Sequence, residues 1–378
     1  MRPLLAALRP IPGALANELG ALTLHGARAR EPLKAVLSVL LAIFAATMLR
    51  LDDLSWAAFS GYMVMRANLG ESVPRGVMRI AGTALGAAVG LLSTPLIGDN
   101  PILLMLGLFV VSWIGTFRAL TSHHSYAWLF FGLTGGMIMT QAVAAPASVV
   151  DFAATRVAEI VVGTCACLVI AALFASAGAP AGSGEPLPIT SASPFIGFRD
   201  AWRDEWLREN WPLAVHSTRA ALAVGLLPLV WRWLSIEDFS QTAVTSYIVM
   251  IVPAAAVREG HMITIYERMA HRTLGCLFGG AMAIAALSLF SNAELPAVLT
   301  LCAGIWIGYH IQTGTQGIGY LGTQFTLGFL ITFIQGPGPV ASIEPGLERL
   351  LGIFIGSAML CLVMIAWPLP EPGEPVAA

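Results

Sequence analysis

Long apolar runs, separated by short polar or proline-containing segments, dominate the chain. A helix that crosses a bilayer needs about 20 mostly apolar residues, and the runs offer about twelve such segments. The pattern predicts an all-α, polytopic membrane protein with about twelve transmembrane helices, at residues 34–49, 54–65, 74–97, 102–120, 126–145, 151–175, 213–235, 239–257, 267–290, 295–311, 315–335 and 346–367.

A row of small residues follows one arginine inside the third predicted helix: Arg79, Gly82, Gly86 and Gly90. Four-residue steps place side chains on one helical face, and glycines on that face allow the backbone of another helix to approach closely. The same arrangement returns 193 positions later: Arg272, Gly275 and Gly279. The sequence therefore predicts two equivalent helix-packing surfaces.

The second half of the chain repeats the first. An offset of 185 residues matches positions up to Met65, and an offset of 193 matches positions from Arg79 onward, so the second half carries about eight additional residues near 251–257. The recurring pairs include Lys34 with Arg219, Asp53 with Asp238, Tyr62 with Tyr247, Trp113 with Trp306, and Arg156 with Arg349. Because each half has an even number of predicted helices, we expect two parallel six-helix repeats, related by a pseudo-two-fold axis along the membrane normal.

Five regions are predicted along the chain. Residues 1–30 form a cytoplasmic or interfacial N-terminal segment, 31–175 form the first six-helix repeat, and 213–368 form the second. A linker rich in proline, glycine and serine, 176–212, separates the repeats on the cytoplasmic side. The last residues, 369–378, form a C-terminal tail.

The basic residues predict the orientation. With the N-terminus inside, sixteen of the 20 lysine and arginine residues fall on the cytoplasmic side, and four fall outside: Arg50, Arg156, Arg232 and Arg349. Cytoplasmic loops of membrane proteins carry the excess of basic residues. The sequence therefore predicts a multi-pass protein with both termini in the cytoplasm.

Composition and motifs argue against several classes of function. The formal net charge is −2, which leaves no basic surplus for binding nucleic acid. The five cysteines lie in apolar runs, and His123 and His124 have no acidic or cysteine partner at ligand spacing, so no metal site is expected. The chain lacks the G-x-S-x-G, H-E-x-x-H and Walker A motifs. We therefore expect no enzyme activity and no cofactor.

Six basic residues lie inside or at the ends of predicted helices, where a charge is costly: Lys34, Arg79, Arg156, Arg219, Arg272 and Arg349. One interpretation is that each side chain extends to the lipid head groups. The other depends on the repeat, because equivalent residues that face a common axis would form an inner ring of four cations and an outer pair, Arg156 with Arg349. Such a path favours carboxylates and other anions.

Three further residues are candidates for contact with protons or substrate. Glu159 is the deepest carboxylate, and it is a candidate either for carrying a coupling proton or for pairing with Arg156, three residues earlier. Tyr62 and Tyr247 recur at equivalent positions and are candidates for stacking an aromatic substrate. Packing inside the helix bundle is the alternative for both rings.

The sequence also resembles a known family. A Trp-led short helix, a loop and the motif R-x-x-G-T-x-x-G follow one another in WAAFSGYMVMRANLGESVPRGVMRIAGTALGAAVGLL (56–92). The closing helix of each half carries an arginine and a following glycine, in TRVAEIVVGTCACLVIAALF (155–174) and RLLGIFIGSAMLCLVMIAWP (349–368). These motifs are similar to those of the fusaric acid resistance and aromatic-acid exporter proteins, the FUSC family.

The resemblance implies an inner-membrane permease that exports small organic anions, with aromatic carboxylic acids as the expected substrates. It also makes a periplasmic adaptor protein a candidate partner. The family is distantly similar to plant aluminium-activated malate transporters, which are anion channels. A passive organic-anion channel is therefore one alternative, and a non-transporting structural or regulatory membrane subunit is another. The chain departs from larger members, which carry a substantial cytoplasmic domain where this chain has the 176–212 linker.

Overall fold

A computed structural model describes residues 7–98, 100–176, 204–234, 239–260, 263–290, 294–334 and 344–367. Within these residues the chain is α-helical, apart from loops and a 3-10 turn at Pro146–Ser148. The helices are α1 (Ile11–Gly20), α2 (Ala27–Met48), α3 (Leu54–Val64), α4 (Leu69–Ile97), α5 (Pro101–Thr121), α6 (Ser125–Ala144), α7 (Val149–Ser176), α8 (Asp204–Gly225), α9 (Leu227–Leu234), α10 (Phe239–Val249), α11 (Ala254–Arg258), α12 (Ile263–Phe290), α13 (Glu294–Gln312), α14 (Gly319–Phe333) and α15 (Glu344–Ala366).

The all-α prediction is confirmed for the described residues, but the count of twelve transmembrane helices is not. Nine segments of the described chain are long and apolar enough to cross a membrane. Helices α3 and α10 have 11 residues each, and α14 has 15. At 1.5 Å per residue, α3 is about 16 Å long, whereas the hydrocarbon core of a bilayer is about 30 Å thick.

Local signals explain why these three helices are short. The Asp53 carboxylate accepts the backbone N–H of Ser55 at 3.1 Å and so caps the start of α3, and the chain turns to an extended conformation at Met65. Pro253 follows α10 and lacks the N–H that a continuing helix would need. Gly317, before α14, has a φ of +76°, a conformation that favours glycine.

The helices form two compact units, and the first contains Met1–Ile80, Ala154–Gly184 and Tyr266–Leu350. In this unit α13 packs against α2, and α14 packs against α3. The first two helices of the predicted first repeat are thus joined to the fourth and fifth helices of the predicted second repeat.

The second unit contains Ala81–Ala153, Glu185–Ile265 and Leu351–Ala378. Here α5 packs against α8, and α6 packs against α10. The unit therefore joins the fourth and fifth helices of the first predicted repeat to the first two of the second. The sequence repeat and the packing units divide the chain in two different ways.

Both predicted glycine surfaces are confirmed as places of close helix packing. On α4, a Cβ atom at Gly86 would lie 2.5 Å from the carbonyl oxygen of Phe131 on α6. On α12, a Cβ atom at Gly275 would lie 2.6 Å from the carbonyl oxygen of Leu321 on α14. Real Cβ atoms do not approach a backbone oxygen so closely, so both contacts depend on the missing side chain.

Helix α1 packs against other helices of the first unit. Its residue Ile11 belongs to a buried apolar cluster that also contains Ala270 of α12, Ile311 of α13 and Leu321 of α14. Burial of apolar side chains stabilises this contact by about 25 cal/mol per Å². The N-terminal segment, predicted only as cytoplasmic or interfacial, thus includes a helix with a defined packing surface.

A carboxylate fixes the other end of α1. Glu18 pairs with Arg28, and it accepts the backbone N–H groups of Thr315 at 2.6 Å and Gln316 at 3.0 Å. Burial opposes ionisation of Glu18, but the interaction with Arg28 and the two N–H donors outweighs it. The pKa of the Glu18 carboxyl is therefore lowered below its ordinary value.

We expect the variant Glu18→Gln to loosen α1. A carboxylate with a lowered pKa stabilises the fold above its ordinary pKa, and this contribution is lost as the pH falls through the folded-state value. Hydrogen–deuterium exchange at residues 11–20 should be about tenfold faster in the variant at pH 7, because hydrogen bonds to a charged group are lost. The difference between the variant and the wild type should shrink below pH 4.5, the ordinary pKa of the carboxyl.

The matched control is Glu71→Gln, which changes an exposed glutamate at the start of α4 and should leave exchange in α1 unchanged. Equal exchange in the wild type and Glu18→Gln at pH 7 would mean that the apolar cluster alone holds α1.

Candidate functional site

Two arginine side chains are buried inside the first unit. Arg79 of α4 has no exposed surface, and Arg272 of α12 is 1% exposed. Both residues occupy the position before the glycine row of their helix, which is the equivalent position in the two predicted repeats. Their burial argues against the interpretation that these side chains extend to the lipid head groups.

The contacts of Arg79 come from the short helix α3. Its Nε donates to the Ser60 hydroxyl at 3.1 Å, and its guanidinium carbon lies 4.6 Å from the centre of the Phe59 ring. An aromatic face attracts a cation at this distance. The hydroxyl and the ring are both neutral groups, and together they orient the guanidinium group inside the unit.

The contacts of Arg272 come from α14. Its Nη1 donates to the side-chain oxygen of Gln324 at 2.7 Å. The Cys276 thiol, one turn further along α12, contacts the same amide oxygen. Like Arg79, Arg272 therefore has a neutral hydrogen-bond partner on a neighbouring helix of the same unit.

A hydrogen-bonded bridge joins α3 and α14, the two helices whose side chains contact Arg79 and Arg272. The hydroxyl of Thr326 on α14 donates to the Tyr62 hydroxyl on α3 at 3.0 Å, and Tyr62 donates to Gln312 of α13 at 2.5 Å. Thr326 lies two residues after Gln324, and Tyr62 lies two residues after Ser60. The partners of Arg79 and Arg272 thus lie on α3 and α14, two helices that this hydrogen bond joins.

The bridge and the two arginine contacts involve residues that the sequence patterns did not single out: Ser60, Gln312, Gln324 and Thr326. Each is a buried or half-buried polar residue in an apolar helix, and that contrast is the signal by which they could be found. Tyr62, a predicted substrate contact, is 1% exposed and packs edge-on against Tyr309. Its hydroxyl is used by the bridge.

Lys34 and its predicted equivalent Arg219 have different surroundings. In the first unit, Lys34 Nζ donates to the carbonyl oxygen of Ala67 at 2.8 Å and pairs with Glu31 at 2.7 Å. In the second unit, the buried Arg219 donates from Nη2 to the carbonyl oxygen of Trp367. The Nε and Nη1 groups of Arg219 have no hydrogen-bond partner among the described residues.

A second charged cluster lies in the first unit around Glu159. Its carboxylate pairs with Arg156 at 3.0 Å, the i, i+3 pair that the spacing predicts, and also accepts the backbone N–H of Asp53 at 3.1 Å. Arg156 lies 3.7 Å from the Asp53 carboxylate and over the ring of Trp56 at 4.2 Å. The sequence did not predict that Asp53 and Trp56 join this cluster, although Asp53 recurs as Asp238.

The remaining candidates are less informative. Tyr247 in the second unit is 2% exposed, donates to the carbonyl oxygen of Trp128 at 3.1 Å and fills the space beside Gly115 and Gly132. This environment favours the packing alternative for Tyr247. The side chain of Arg349 lies outside the described residues. No group of three or more potential metal ligands occurs among the residues that the structure describes.

Two protein-family models match the sequence of this chain. The model of the Fusaric acid resistance protein family matches residues 32–230, which is more than half of the chain. The chain belongs to the fusaric acid resistance protein family. A second model, Fusaric acid resistance protein-like, matches residues 226–363, so the family's sequence features extend into the second half.

The chain is also similar, over part of its length, to a curated protein that is described as an efflux pump subunit. The chain is 28% identical over 169 residues to a protein from Enterobacter cloacae subsp. cloacae, described as p-hydroxybenzoic acid efflux pump subunit AaeB. The match covers 41% of this chain and 26% of the relative, so it spans about a quarter of the relative's length. No solved structure matches this fusaric acid resistance family protein.

Proposed function

We propose that this chain is an inner-membrane permease that exports small organic anions, with aromatic carboxylates as the substrate class. The family membership and the name of the relative support efflux, and the apolar helices support a multi-pass membrane location. Twelve membrane crossings remain our proposal for the topology, and the positive-inside rule favours an orientation with both termini in the cytoplasm.

One observation carries the proposed mechanism. Arg79 and Arg272 are buried in the same unit, and their hydrogen-bond partners lie on α3 and α14, two helices that are themselves joined by a hydrogen bond. A buried guanidinium group is costly in an apolar bundle, but it stabilises an anion that passes beside it. We assign Arg79 and Arg272 to the anion path, while Lys34, Arg156, Arg219, Arg349, Tyr62 and Tyr247 stay candidate contacts.

The function is tested by tolerance to organic acids. A strain that lacks the gene and a complemented strain should be exposed to a panel of aromatic and aliphatic carboxylic acids. We expect complementation to restore growth in the presence of aromatic acids such as p-hydroxybenzoate. Equal growth of both strains across the panel would contradict export and favour a structural or regulatory subunit.

We further propose that the cluster around Glu159 binds a coupling proton. It places two carboxylates, Glu159 and Asp53, beside the guanidinium group of Arg156. These three side chains carry two negative charges and one positive charge when all are ionised. A proton that binds to one of the carboxylates makes the three together neutral. A cluster that gains and loses one proton can exchange it for an exported anion.

We expect Glu159→Gln to transport without proton coupling. With one coupled proton, a gradient of one pH unit supports an accumulation of about tenfold in proteoliposomes, because tenfold corresponds to 1.4 kcal/mol. Glu159→Gln should give no accumulation, that is, equal concentrations inside and outside, since the amide cannot bind the proton. Glu71→Gln, at an exposed position, should behave as the wild type. Full gradient dependence in Glu159→Gln would leave the pair with Arg156 as a structural contact.

A further inference from the structure

A cavity of about 360 Å³ lies in the second unit, beside the start of α5 and along α9. Leu104, Val143 and Pro228 form its apolar part, while Asn100, Trp231 and Arg232 contribute polar and aromatic groups. Small-molecule sites commonly have volumes of about 300–1,000 Å³ and combine apolar walls with a few polar groups. The cavity has this size and this composition.

The sequence explains how these side chains come together. Pro228, Trp231 and Arg232 are at positions i, i+3 and i+4 of α9, so they share one helical face. Asn100 caps α5, because its amide oxygen accepts the backbone N–H groups of Ile102 and Leu103. The amide NH₂ of Asn100 is then the group that remains to donate.

The cavity has an apolar floor and a polar rim. Leu104 and Pro228 are buried, whereas Asn100 and Arg232 are exposed. A guanidinium group binds a carboxylate through two parallel hydrogen bonds, and an apolar floor beside an indole suits a flat ring. We infer that this cavity binds small aromatic carboxylates, with the ring toward Leu104 and Pro228 and the carboxylate toward Arg232.

The residues that line the cavity on α9 are not repeated at the equivalent positions of the first half of the chain. The offset of 185 residues places Ile43, Ala46 and Thr47 at the equivalents of Pro228, Trp231 and Arg232. The indole and the guanidinium group therefore belong to one half of the chain and are not part of the shared helix pattern. In the predicted orientation Arg232 is on the outer side, so the cavity is a release site, a role that depends on the proposed function.

Photoaffinity labelling of the full chain in phosphatidylcholine nanodiscs tests this site. With p-azidobenzoate as the probe, we expect label in the peptides that contain residues 100–104 and 227–232. Excess p-hydroxybenzoate should remove this label, and the uncharged p-hydroxybenzamide should not. Arg232→Gln should lower the label about tenfold, because a charge-assisted pair is lost. The exposed Arg50 provides the matched control, and Arg50→Gln should label as the wild type.

Three results would overturn the inference. The first is that neither peptide carries the label, and the second is that Arg232→Gln leaves the label unchanged. The third is that added phosphatidylglycerol removes the label while p-hydroxybenzoate does not, which would identify an anionic lipid as the occupant. Melting temperatures of Arg232→Gln and Arg50→Gln should equal that of the wild type, since both arginines are exposed.

The double variant Arg79→Gln, Arg272→Gln separates the proposed anion path from the proposed cavity site, because it should lose flux and keep the label. Normal export by the wild type without label in this cavity would contradict the release site alone.

Discussion

Replacing Arg79 and Arg272 together by glutamine should lower organic-anion flux by at least about a hundredfold, because each hydrogen bond to a charged group contributes about 1.5–3 kcal/mol. Both guanidinium groups are buried in the first unit, where the low dielectric strengthens their attraction for a carboxylate. Glutamine keeps a hydrogen-bond donor but removes the charge. The measurement is the initial rate of p-hydroxybenzoate efflux from proteoliposomes that contain equal amounts of each protein.

The control for this experiment is the double variant Arg50→Gln, Arg118→Gln, which removes two exposed arginines and should retain the wild-type rate. Arg79→Lys, Arg272→Lys keeps both charges and should recover part of the flux, because a lysine attracts an anion without the planar geometry of arginine. Insertion and melting temperature are recorded for every variant. Unchanged flux in a well-folded glutamine variant would remove these arginines from the path.

A comparison of two adjacent glycines should produce the largest change in stability. A Cβ atom at Gly279 would collide with the backbone carbonyl oxygen of Phe325 on α14, whereas one at Gly280 would lie 3.7 Å from the Thr332 hydroxyl, an ordinary contact. We expect Gly279→Ala to destabilise the protein by about 1–3 kcal/mol or more, since a packed backbone cannot move away cheaply. Gly280→Ala should be neutral or stabilising by up to about 1 kcal/mol, because alanine favours the helix.

The unfolding midpoint in a denaturing-detergent titration measures this difference. Both substitutions add one methyl group to the same helix at neighbouring positions, so effects on hydrophobicity and helix propensity cancel in the comparison. Equal midpoints for the two variants would show that α12 does not pack against α14 through Gly279. A loss of stability in Gly280→Ala alone would reverse the assignment of the packing face.

Features that depend on residues near one another in sequence could be predicted well. The periodic apolar runs predicted the helices, and the four-residue steps predicted the glycine surfaces at Gly86 and Gly275, which the structure confirms. The pair between Arg156 and Glu159 is also found as its spacing predicts. In these cases the geometry of one helix decides which residues lie side by side.

Features that depend on residues distant in sequence were not predicted. The count of twelve membrane crossings is unconfirmed, because α3, α10 and α14 are shorter than the nine described segments that are long and apolar enough to cross a membrane. The buried partners of Arg79 and Arg272 lie on other helices, 19 and 52 residues away. Asp53 reaches Glu159 across 106 residues.

The amino-acid sequence by itself determined the helices, their small-residue faces, the positions of the charges and the family, because each follows from local spacing or from motifs within one half. Only the tertiary structure decided that the first two helices of each predicted repeat pack with the fourth and fifth helices of the other. The physical reason is that apolar helices offer many faces of similar composition, so their partners are selected by shape and by the buried hydrogen bonds that form on contact.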